Sequence, residues 1–141
     1  MHLSGAAARK RLVEYAISNE LDSQVCVIVL TGNVGAERAI TLLDSVWQNE
    51  VYAKSRYVIW DLENCGTFPD FNEFVLIANY ARKHKPKNGP ARIAFCSATF
   101  ENSMLINILK GFTRALPSNF RYVATQGEAL EWFATNESDV A

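Results

Sequence analysis

Val25-Cys26-Val27-Ile28-Val29-Leu30-Thr31 (VCVIVLT) is an unbroken, mostly β-branched run. A strand that is apolar at successive positions buries both of its faces, so this one belongs in a sheet covered above and below. Upstream, Arg11 to Ile17 (RLVEYAI) is β-rich and partly alternating, which suits a strand with one wetter face. Between the two stands Ser18 to Ser23 (SNELDS), polar turn material too short to hold a crossover helix. The pair is therefore expected to be an antiparallel hairpin.

Downstream of Gly32 the apolar period lengthens. Ala39, Ile40, Leu43, Val46 and Trp47 follow helical spacing. Arg56 to Leu62 (RYVIWDL) reads as the next strand, and Phe71, Phe74, Val75, Ala78 and Ala81 as a second amphipathic helix. Asp70, with Glu73 three positions on, has the pattern of a capping box. Lys85 to Pro90 (KPKNGP) stops that helix. Ala91 to Cys96 is a strand, Met104, Leu105, Ile108, Leu109 and Phe112 mark a third helix, and Phe120 to Ala124 is a short last strand. Thr125 and Glu128 repeat the capping-box pattern ahead of a terminal helix through Ala129, Leu130 and Phe133.

The order β-β-α-β-α-β-α-β-α predicts the α/β class, with a single mixed, mostly parallel sheet and flanking helices. Val25–Thr31, Tyr57–Leu62 and Ala91–Cys96 are expected at its centre. No repeat or linker divides the chain, so one domain over residues 1–141 is expected, with 1–10 mobile. The length of 141 residues agrees: a chain of this size buries roughly 70% of its unfolded surface, enough for one sizeable core.

The net charge of −1 gives no global field toward nucleic acid or an anionic membrane, and neither is expected as a partner. Three cysteines, Cys26, Cys65 and Cys96, have no C-x-x-C spacing and an odd count. A disulfide framework and a zinc site are therefore not expected, and a reducing, cytoplasmic setting is. Met1 to Leu12 lacks the apolar stretch of a signal peptide, and Val25 to Leu30 is too short to span a bilayer, so no integral membrane segment is expected.

The phrase YVIWDL at Tyr57 to Leu62 and the ending YVATQGEALEWF at Tyr122 to Phe133, set in this element order, resemble the STAS/SpoIIAA-like group. These are small bacterial domains related in fold to anti-sigma-factor antagonists, and the resemblance spans about Leu12 to Ala134. It implies a non-catalytic regulatory or protein-interaction module in bacterial signalling. In phosphorylatable STAS domains the strand ending in "Dl" leads to a serine at the next helix N-terminus, where free N–H groups and the helix dipole favour an anion. Here that stretch reads Asp61-Leu62-Glu63-Asn64-Cys65-Gly66-Thr67-Phe68-Pro69-Asp70-Phe71-Asn72, without a serine. Asp70 stands near the expected place and Thr67 is the nearest hydroxyl. The usual phosphorylation switch departs here, either because a fixed charge imitates phosphate or because Asp70 only caps its helix.

Other chemistries meet missing parts. Asp61 at a strand end, with Ser97 or Thr99 as hydroxyl, invites comparison with phospho-accepting receivers. Yet Thr31-Gly32-Asn33-Val34 holds no acidic pair for a metal, and no lysine follows Tyr122-Val123-Ala124. The loop Gly32, Asn33, Gly35 could cradle an anion, but it lacks both nucleotide-binding glycine spacings, and its glycines also suit a tight turn. The two histidines, His2 and His84, supply neither a three-histidine metal site nor a base placed for a nucleophile. Asp61 and Glu63 share strand parity, as solvated end charges do. Arg82-Lys83-His84-Lys85-Pro86-Lys87 reads as a solvated helix end.

No enzyme activity, cofactor or metal is therefore expected. The expected surface for a protein partner is Thr67, Phe68, Asp70 and Phe71, because Phe68 lies off the helical stripe at a loop-to-helix junction. Homodimerisation stays open. The alternative is a carrier of a small apolar ligand or lipid, as in the CRAL-TRIO domains of similar architecture, and that would need an internal cavity.

Overall fold

In a computed structural model, residues 14–67, 71–97 and 119–135 are described. The expected stretches 1–10 and Met104 to Phe112 lie outside them. The elements are β1 (Glu14–Asp22), β2 (Val25–Asn33), α1 (Ala36–Trp47), α2 (Glu50–Lys54), β3 (Tyr57–Thr67), α3 (Phe71–His84), β4 (Arg92–Cys96), β5 (Phe120–Val123) and α4 (Gln126–Phe133). They form one five-stranded sheet in the order β1-β2-β3-β4-β5. β1 is antiparallel to β2, and every other neighbouring pair is parallel.

The hairpin is tighter than the sequence suggests. Ser18 to Asp22 continues the strand instead of turning, and Asp22 pairs with Val25. The reversal rests on Ser23 and Gln24 alone, where the Gln24 N–H donates to Asp22 Oδ1 at 2.8 Å. Backbone pairing is indifferent to side-chain polarity at an edge, so the polar residues of SNELD can still form a strand.

A monotonic run of parallel strands has a consequence for the layers. Crossovers of one hand, all stepping in one direction, lie on one face. Accordingly Cys26, Ile28, Leu30, Val58, Trp60 and Ile93 point to a face covered by Leu42, Val46 and Tyr52 of α1 and α2. α3 lies beside α1, joined by the Tyr80 hydroxyl donating to Asp44 at 2.6 Å and by Tyr80 stacked parallel to Trp47. α4 follows the last strand and is no crossover, so it returns over the opposite face. There Ala129, Trp132 and Phe133 cover Val25, Val27, Ile59, Ala94, Cys96 and Val123. The reading of Val25–Thr31 as buried on both faces follows from this: its alternate residues enter two different cores. Ile28 and Ile59, with no exposed surface, illustrate the two sides. Burial of each contributes roughly 1.5–3 kcal/mol.

The helix starts show their local causes. Thr125 caps α4 as its sequence predicts: its hydroxyl accepts from the Glu128 N–H at 3.1 Å, while Glu128 Oε2 accepts from the Ala124 N–H at 2.9 Å. Asn49 caps the single turn of α2, accepting from the Val51 N–H at 2.8 Å.

Candidate interaction site at the carboxyl edge of the sheet

β3 runs beyond the predicted end at Leu62, through Glu63 to Thr67. It does so because β2 also runs on to Asn33, offering backbone partners: Thr31 pairs with Asn64, Gly32 with Cys65 and Asn33 with Thr67. The register shifts twice along this stretch, and Gly32 takes φ 100°, a left-handed conformation that glycine adopts without strain. The pairing brings together two regions that the sequence leaves apart, the loop of Gly32, Asn33 and Gly35 and the segment entering α3. Phe68 and Asp70 lie outside the described residues, while Thr67 ends β3 and Phe71 opens α3.

A carboxylate from the chain itself meets the start of α1. The Ala36 N–H, first in α1, donates to Glu73 Oε2 at 2.9 Å from the first turn of α3. Gly35 has an ordinary φ of −113°, so its role is not conformational. A Cβ there would stand 3.0 Å from the same Glu73 oxygen, and glycine leaves the space that this approach uses. The anion-cradling loop thus receives one of the chain's own carboxylates, which satisfies an orphan helix donor and complements the α1 dipole. Glu73→Ala is expected to lower stability by about 1 kcal/mol. Gly35→Ala should move it the same way by displacing the carboxylate, and urea unfolding measures both. A Gly35→Ala variant as stable as wild type would show that the contact is dispensable.

Asp61 is a mid-strand residue, not a strand end. It is half-buried, accepting from the Glu63 N–H at 3.0 Å and from Gln126 Nε2 at 2.6 Å. Its carboxylate therefore ties α4 to β3, whereas the sequence reading leaves it solvated. Beside it, burial pushes the Cys96 thiol from 9.0 up to about 12, with the charges of Asp61, Glu63 and Glu128 adding to the rise. Cys26, through burial alone, and Cys65, through burial and then Asp61, rise to about 11. These groups hold their protons more tightly folded than unfolded. Their contribution is complete below the ordinary thiol range and is lost as pH climbs through the raised values. Stability is thus expected to fall from about pH 9 upward. A Cys26→Ser, Cys65→Ser, Cys96→Ser chain, compared by thermal melts across alkaline pH, should lose much of that slope.

The basic end of α3 is exposed at Arg82, Lys83, His84 and Lys85. His84 is more than part of a solvated charge run, since its ring packs on Tyr80 with centroids 4.3 Å apart. This i, i+4 contact was visible in the sequence as Tyr80 and His84 but is masked there by the charge run. Among the described residues no three His, Cys, Asp or Glu side chains are grouped to hold a metal, and no helix is long and apolar enough to cross a membrane.

No family model and no curated protein sequence matches the chain. Solved structures do share its fold. An anti-sigma factor antagonist from Mycobacterium paratuberculosis has a TM-score of 0.56 at 16% identity, over 85% of this chain and 92% of that one. The anti-sigma factor antagonist SpoIIAA in its unphosphorylated form gives 0.54 at 15% identity, over 87% and 100%. The Bacillus cell fate determinant SpoIIAA in its phosphorylated form gives 0.51 at 15%, over 85% and 99%. The chain has the STAS/SpoIIAA-like fold, as its element order and the two quoted motifs imply.

Proposed function

We propose that this protein is a non-catalytic regulatory module of bacterial signalling that docks another protein through the carboxyl edge of its sheet. The observation that carries the reading is the likeness to anti-sigma factor antagonists over most of the chain and nearly the whole of theirs. The docking surface comprises Thr67, Phe68, Asp70, Phe71 and the first turn of α3. Its setting supports it: β2 and β3 reach this edge together, and Glu73 joins α3 to the start of α1. Holding the start of α3 to α1 through Glu73 lowers the ordering cost of binding at that helix turn. The carrier alternative gains no support from these likenesses, two of them named anti-sigma factor antagonists and the third a cell fate determinant.

The test is affinity capture from the source cell with the full chain and with Phe68→Ala. A protein retained by the wild type and lost with Phe68→Ala supports the surface. Equal retention by both chains overturns it.

A further inference from the structure

The net charge of −1 hides a separation of charge along the strands. Where the parallel strands begin, three stretches bring exposed cations to the surface. The last turn of α3 carries Arg82 and Lys83, the connection to β4 carries Lys85 and Lys87, and the end of α2 and the step into β3 carry Lys54 and Arg56. Where the strands end, the sign is opposite. Glu37 in the first turn of α1, Glu63 on β3 and Glu128 in the first turn of α4 are exposed there, with Asp61 and Glu73 half-buried, against the cation Arg38.

Backbone hydrogen bonds join the basic stretches into one rim. The Arg56 and Tyr57 N–H groups donate to the Gln24 carbonyl at 2.9 and 3.0 Å, and the Ala91 N–H donates to the Arg56 carbonyl at 2.7 Å. The end of α3 is fixed from the side, because Tyr80 stacks on Trp47, donates to Asp44 and carries the His84 ring. Cations at a helix C-terminus complement its dipole, which accounts for Lys54, Arg82 and Lys83. It does not account for Arg56 and Lys87, which lie beyond the helix ends. Among the described residues Lys83, Lys85 and Lys87 have no ion pair. Clustered like charges repel one another and oppose the compact state, and a bound anion relieves that repulsion.

We propose that the amino edge of the sheet is a second docking face, which takes an acidic segment of a partner protein. It goes beyond the surface at the carboxyl edge and shares no residue with it. Two exposed carboxylates, Asp22 and Glu50, interrupt the basic rim. An evenly charged polyanion, such as a nucleic acid strand or an anionic lipid sheet, presses against both of them, and like charges face to face suppress binding. A protein segment can set neutral residues opposite Asp22 and Glu50 and carboxylates opposite the cations. The acidic far end of the molecule turns the basic edge toward such a segment as it approaches.

The probe is a fluorescein-labelled peptide of alternating Glu and Ser, followed by anisotropy with the full chain at roughly 0.15 M salt, where charges beyond about 8 Å are screened. Saturable binding is expected, with none to the same peptide carrying Gln for Glu. The double variant Lys85→Gln, Lys87→Gln should weaken binding about tenfold in Kd, as the loss of two exposed charge pairs does. Arg38→Gln, the removal of an exposed cation at the opposite edge, should leave Kd within about twofold. Oligo-thymidylate and vesicles of phosphatidylcholine and phosphatidylserine in equal parts are the competing ligands. The proposal is overturned if the Glu peptide binds no better than the Gln peptide, or if the double variant binds it as the wild type does. Tighter binding of the oligonucleotide or the vesicles, lost in the double variant, also overturns it and assigns the edge to that ligand.

Discussion

Trp132→Ala is expected to cost about 3–5 kcal/mol of folding stability, the range for removing a large buried aromatic. The reason lies in the layer arrangement. Among the described residues the face carrying Val27, Ile59, Ala94 and Cys96 is covered by α4 alone, through Ala129, Trp132 and Phe133. Trp132 is 4% exposed, stands near Phe133 and has the guanidiniums of Arg92 and Arg121 over its ring at 5.2 and 4.9 Å. Truncation leaves a cavity that an eight-residue helix cannot close by shifting, because its start is capped by Thr125 and tied to Asp61 through Gln126. Urea unfolding measures the loss. Leu76→Ala serves as the contrast: at 57% exposure it should stay within about 0.5 kcal/mol of wild type. A Trp132→Ala chain within about 1 kcal/mol of wild type would mean that α4 contributes little to that core.

The second large effect is on binding. Phe68→Ala is expected to weaken the partner complex by about 2 kcal/mol or more, roughly thirtyfold, if Phe68 is the buried anchor of the interface. Its own folding stability should be nearly unchanged. Asp70→Ala should behave in the opposite way, lowering stability by about 1 kcal/mol through loss of a helix cap while leaving most of the affinity. The two variants separate anchor from cap when each is followed by both a melt and a binding titration. A Phe68→Ala chain that melts much earlier and still binds would place Phe68 in the core and remove the proposed surface.

The sequence makes the centre of this molecule legible and its edges illegible. VCVIVLT, RYVIWDL and ARIAFC announce themselves because burial on two faces demands apolar residues at successive positions. The cap of α4 is legible for a different reason: Thr125 and Glu128 satisfy backbone donors at fixed spacing. The far end of β1 and the Glu63 to Thr67 extension of β3 are not, since ladder hydrogen bonds there use the backbone and leave the side chains free to be polar. α2 is a single turn, too short for a period. For the site, the glycines of the Gly32 to Gly35 loop are readable, but the approach of Glu73 to Gly35 joins residues distant in sequence, and no local pattern encodes it. The signal for Arg92 lies in its strand: an arginine at the inward parity of an otherwise apolar run.

The shift in register between Ser18 and Asp22 affects how the molecule keeps company with copies of itself. β1 is an outer strand of nine residues, and a flat strand of that length offers a template for edge-to-edge aggregation. An irregularity of the bulge kind bends such a ribbon and breaks its even ladder of outward N–H and C=O groups, so a second sheet cannot zip along it. The opposite outer strand, β5, is only four residues long and offers little to build on. Among the described residues both outer strands of the sheet thus discourage edge-to-edge polymerisation.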